Sequence, residues 1–182
     1  MITSNKVIDK NIDDLQVDPL SRNKITECSY LLRTLFGYEN IPRFPIKHLE
    51  KYIIEYLDPL FYLAAETKEE MGIREGFTIP KKHRIYLRED VYEDLEKDDT
   101  RAAFTLAHEF GHYILHAKST FDITMQKNVP IYYSSEWQAN VFAADFLMPP
   151  HLLNKTMSPQ DISVIFGVSL KAANKQHGRF CV

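Results

Sequence analysis

The chain has 182 residues, 45% hydrophobic, 26% charged and 12% aromatic, with a formal net charge of −3. That balance builds one apolar core without disulfide or metal staples and excludes a disordered, collagen-like or repeat protein. The charge excludes a global electrostatic pull toward nucleic acid or anionic lipid.

Residues 1–20 are polar, carry four Asp and have neither an apolar h-region nor a sustained period, so they read as a flexible arm. From Ser21, a candidate cap, Ile25, Cys28, Leu31, Leu32, Leu35 and Phe36 fall at helical spacing, and Gly37 stands where a left-handed cap would end that helix. Pro45 suits the first residue of a short helix through about Tyr52. "IIEYL" and "FYLAA" then read as strands broken by Asp58-Pro59, and "GFTIP" and "RIYL", joined by "KKH", as a hairpin. A helix from Asp99 or Thr100 through His116 follows, then one capped by Ser135 and stopped by Pro149-Pro150. Two short helices close the chain, one opened by Ser158-Pro159 and ended by Gly167, the other running from Ser169 to about Lys175. The order predicts an α+β fold with a small, mostly antiparallel sheet, a main domain over 21–150 and a helical C-terminal element over 151–182. Cys28 and Cys181 lack paired spacing and read as free thiols. No 18-residue apolar run occurs, so the expectation is a cytoplasmic protein without a membrane span.

Between Ala102 and His116 the only acid or base besides histidine is Glu109, so this helix is apolar nearly all round and should be buried. Buried imidazoles and carboxylates need partners, and one ion satisfies several together. His108-Glu109-Phe110-Gly111-His112 is an H-E-x-x-H motif, with roughly 0.02 occurrences expected by chance in this composition. Histidines at i and i+4 differ by about 40° of rotation and about 6 Å of rise, so His108 and His112 reach one ion from the same face. Glu109, about 100° further round, is placed instead to touch a water held there, as a general base must.

A catalytic zinc takes three protein ligands and keeps one position open, whereas structural sites are mostly rich in Cys, and neither cysteine is near. The longer H-E-x-x-H-x-x-G-x-x-H form fails, because Leu115 and Lys118 occupy its Gly and His positions. Asp122, Glu136, Asp145 and Asp161 are the downstream carboxylates; Glu136, opening a helix with an apolar far side, is our choice. Asn140, one turn on, is placed to accept a hydrogen bond from a ligand imidazole. His116 lies about 12 Å along the helix from His108, too far to share its ion, and is assigned a supporting or packing role. Tyr132 and Tyr133 precede Glu136 and are candidate phenol donors to an oxyanion.

"RAAFTLAHEFGHYILH" followed by "EWQANVFAADFLMP" resembles the ImmA/IrrE-type metallo-endopeptidases, with weaker similarity from "GFTIP" through the tail. Phe110 and Phe146 stand where that family commonly has Leu. The resemblance implies a minimal gluzincin-like zinc protease fold, with the sheet packed on the H-E-x-x-H helix. His108, His112 and Glu136 would bind one Zn2+ and Glu109 would be the catalytic carboxylate. It also implies a regulatory protease whose substrate is a helix-turn-helix transcriptional repressor. Two other readings compete: a zinc-containing regulator that binds a transcription factor without cutting it, and a DNA-binding protein acting through its helix-turn-helix-like tail. The tail offers only Lys171, Lys175 and Arg179, which is thin for phosphate contacts.

Overall fold

A computed structural model describes residues 16–117 and 130–181. The expected flexible arm, apart from residues 16–20, and Asp122 therefore lie outside the described residues. Helix α1 (Arg22–Leu35) is capped by the Ser21 hydroxyl, and Gly37 has a φ of +78°. A 3-10 turn (Ile46–His48) leads into α2 (Leu49–Tyr56). "IIEYL" is therefore helix, not strand. Leu49 and Ile53, four residues apart, bury one helical face, and the amides of Leu57 and Asp58 both return to the Ile53 carbonyl to stop it. Tertiary burial at that spacing overrides the strand preference of the two adjacent isoleucines.

Three strands follow: β1 (Tyr62–Glu66), β2 (Gly76–Ile79) and β3 (Arg84–Arg88), with the short helix α3 (Lys68–Met71) between the first two. The strand order is β1-β3-β2, with β1 parallel and β2 antiparallel to β3. The expected hairpin is present, but the sheet is mixed rather than mostly antiparallel, because β1 lies on the other side of β3 from β2 and runs parallel to it. Leu63 pairs with Ile85 in register, and both point into the core. A helix absent from the sequence reading, α4 (Glu89–Glu96), follows; its buried residues are Val91 and Leu95, too short a period to register.

The long helix α5 (Thr100–Leu115) starts at Asp99, whose carboxylate accepts from the amides of Arg101 and Ala102. Helix α6 (Ser135–Leu147) packs along it and is capped by Ser134, one residue before the expected cap. Phe110, Phe142 and Phe146 are fully buried between them, each contributing about 1.5–3 kcal/mol by burial. Helices α7 (Pro159–Phe166) and α8 (Leu170–Phe180) finish the chain, the latter running past the expected end near Lys175. Ile162, Phe166 and Ala173 join the same core cluster as α5 and α6, so these helices share one core with the rest. Cys28 and Cys181 are free thiols. Among the described residues no helix is long and apolar enough to cross a membrane.

Candidate active site

Helix α5 buries Leu106, Ala107, Phe110 and Tyr113, which leaves His108 and His112 one turn apart on the side facing α6. Between them Gly111 permits close approach: a Cβ there would lie 3.1 Å from both the Ala139 Cα and the Phe142 ring. The Ser134 hydroxyl accepts from the Trp137 amide at 2.9 Å and starts α6 so that Glu136 falls in its first turn, where the helix dipole favours a carboxylate. Glu136 then lies 3.3 Å from His108 Nε2 and 3.2 Å from His112 Nε2, and the two Nε2 atoms are 3.0 Å apart. Ligand atoms about 2.0–2.1 Å from a tetrahedral zinc sit about 3.3 Å from one another. The donor set and its spacing therefore fit that ion, with three ligand groups among the described residues.

The two imidazoles beside it, His108 and His112, hold the Glu136 carboxyl far below the usual range. Burial pulls the His108 ring down, but Glu136 and Glu109 outweigh it and the net direction is up. Asn140 hydrogen-bonds His108, and its own amide nitrogen donates to the Glu136 carbonyl at 2.8 Å.

Glu109 is 7% exposed, and its side chain meets the sheet rather than the ligand group. The Thr78 hydroxyl reaches its Oε2 at 2.7 Å and its backbone oxygen at 3.0 Å. Gly76, on the same strand, makes room for it: a Cβ there would sit 2.8 Å from the Glu109 Cγ. Burial pushes the Glu109 carboxyl up, against the lowering effect of both imidazoles and Thr78. A carboxylate raised in this way is better matched to proton transfer near neutrality.

His116 is buried at the end of α5 with Nδ1 3.1 Å from His112 Nδ1 and Nε2 3.1 Å from Gln138 Oε1. Burial pulls its pKa down to about 4. The Tyr132 ring packs edge-on against Trp137, and its carbonyl accepts from Gln138 and from Leu20. Tyr133 accepts from the Val17 amide through its own carbonyl. Both tyrosines thus join the frame of the site through their main chains. Asp145 is bonded to Thr26 and Gln176, and Asp161 caps α7, so neither joins the histidines. Sequence reasoning did not find Gly76, Thr78 or Gln138. The quoted "GFTIP" and "EWQAN" contain them, but no spacing rule links them to α5.

Residues 59–176 match the family model Peptidase M78, the IrrE N-terminal-like domain. The chain belongs to the Peptidase M78 family. The M78 match takes in β1 to β3, both histidines, Glu109 and Glu136, and continues through most of α8. Helices α1 and α2 precede it. No curated protein matches the chain.

Proposed function

We propose that the protein is a cytoplasmic zinc endopeptidase, with His108, His112 and Glu136 holding one Zn2+ and Glu109 acting as general base. The observation that carries this reading is the convergence of those three donors within 4.8 Å of one another beside the buried Glu109 carboxylate that Thr78 holds. Membership of a peptidase family supports it. When bound, zinc supplies a Lewis acid that polarises the scissile carbonyl and acidifies water.

The chain's own residues supply the rest. Glu136 neutralises positive charge between the two imidazoles. Glu109 takes a proton from the attacking water on a carboxylate oxygen and returns it to the leaving amine nitrogen. Thr78 steadies that carboxylate by hydrogen bonding to Oε2. The choice of a helix-turn-helix repressor as substrate rests on the family resemblance.

The test is incubation with a purified helix-turn-helix repressor, read by intact mass for wild type and Glu109→Gln, after elemental analysis of both and of Glu136→Ala. The expected result is near one zinc per chain in wild type and Glu109→Gln, clear loss in Glu136→Ala, and cleavage by wild type alone. Binding of the repressor by zinc-loaded wild type without any cleavage would favour the non-proteolytic regulator. An absence of zinc after incubation with the ion at neutral pH would sink the metal site.

A further inference from the structure

Four polar groups run in line from the main chain of the N-terminal segment to the His112 ring, and their hydrogen-bonding capacities leave one arrangement of protons. The Gln138 side-chain nitrogen lies 2.9 Å from the Asp18 carbonyl and 2.8 Å from the Tyr132 carbonyl. A carbonyl oxygen only accepts, so both amide hydrogens of Gln138 are committed there, and a flipped amide would set oxygen against two oxygens. The Gln138 Oε1 that remains, 3.1 Å from His116 Nε2, can only accept, so His116 carries its hydrogen on Nε2. His116 is 3% exposed, and a buried neutral imidazole has one N–H. Its Nδ1 is therefore a bare acceptor facing His112 Nδ1 at 3.1 Å, and His112 must donate from Nδ1. With that hydrogen spent, His112 Nε2 is bare, and this is the atom 3.2 Å from Glu136 and 3.0 Å from His108 Nε2.

We infer that Gln138 and His116 are positioning residues that hold His112 in the ring tautomer whose Nε2 is free to ligate, with two backbone carbonyls as the fixed end of the chain. The inference rests on the proposed role of His112 as a metal ligand. It extends the site to residues far from it in sequence. The Asp18 carbonyl is held in place because Val17 and Leu20 donate to the carbonyls of Tyr133 and Tyr132 at 2.9 and 3.2 Å. The segment just before α1 is thus part of the frame that sets a ligand's proton. Asn140 also hydrogen-bonds the other proposed ligand, His108, while its amide nitrogen donates to the Glu136 carbonyl.

The test is a two-bond 1H–15N correlation spectrum of the full chain with 15N-labelled histidine, zinc-free and zinc-loaded. The expected pattern is His116 protonated on Nε2 in both forms, and His112 protonated on Nδ1 in the loaded form. Alongside it, Gln138→Met, close in length and unable to accept from His116, is titrated against a chelator. Outer partners of ligating histidines are worth about 10–100-fold in metal affinity, so the zinc Kd should rise at least about tenfold. A His116 proton on Nδ1 would overturn the inference, as would wild-type zinc affinity and an unchanged His112 tautomer in Gln138→Met. If that variant does not fold, the wild-type spectra decide alone. If zinc does not bind, the metal reading fails, while the zinc-free His116 tautomer still answers the question of the proton order.

Discussion

Gly76 shows how one missing side chain sets the chemistry. Any Cβ at this position collides with the Glu109 Cγ at 2.8 Å, and Glu109 cannot retreat because α5 is buried behind it. Gly76→Ala should therefore displace the carboxylate, lowering cleavage on the order of 10²-fold, the cost of about 1 Å of misplacement, while zinc per chain stays the same. Elemental analysis beside a cleavage assay separates the two effects; a proportional loss of zinc would show that the sheet supports the ligands instead. The site is legible in the sequence wherever its residues share a helix, since the four-residue step fixes His108 against His112. Gly76 and Thr78 approach from a strand some thirty positions away, and the turns that bring them there are set by tertiary packing. Gln138 was hidden differently: it sits on the same helix as Glu136, but its meaning comes from carbonyls of Asp18 and Tyr132.

At the scale of elements, the α5–α6 contact decides whether Glu136 meets the histidines. Gly111→Val would press against the Ala139 backbone, 3.1 Å from even a bare Cβ, and overpacking of this kind costs about 1–3 kcal/mol. Urea midpoint and zinc affinity should fall together; a drop in the first alone would show that the helices can separate without opening the site. Arg33 ties the other end of α6. Fully buried, it donates to the carbonyls of Tyr38, Ile41, Pro42 and Phe146, and burial lowers its pKa to about 10. Arg33→Lys keeps the charge but not the planar fork, and should cost about 1–3 kcal/mol in urea unfolding through carbonyls left unpaired. At α7, hydrogen bonds from the Ser158 hydroxyl and amide hold the Asp161 carboxyl low. Its folded pKa lies below the unfolded one, near about 3.9, so its contribution is complete above that value and vanishes as pH falls through the folded pKa. Asp161→Asn should unfold at lower urea than wild type at neutral pH, the gap closing in acid. Capped helices such as α7 were legible because Ser158 and Asp161 are local partners. The segment "IIEYL" misled because its helical form depends on which side chains find the core.

For the whole molecule, the site draws on α5, α6, the sheet and the N-terminal segment, so ligand binding reports on global stability. If the ion binds only the folded chain, free zinc at 100-fold above its Kd should add about 2.7 kcal/mol to unfolding, and a chelator should remove it. Thermal melts at several zinc concentrations check this, and a midpoint independent of zinc would mean that the donors are already satisfied by one another.

The fully buried Asp145 carboxylate on α6 has a timing consequence. It takes its hydrogen bonds from Thr26 on α1 and Gln176 on α8, the latter also bonded to the Met148 carbonyl. During synthesis the histidines and Glu136 leave the ribosome well before Gln176 does. A nascent chain arrested before α8 holds Asp145 without its Gln176 donor and leaves the Met148 carbonyl without that partner, while α1 and α5 are already present to pack along α6. Chains stalled or cut short of the final helix thus carry a buried carboxylate with one donor fewer, and should unfold at lower urea than the full chain.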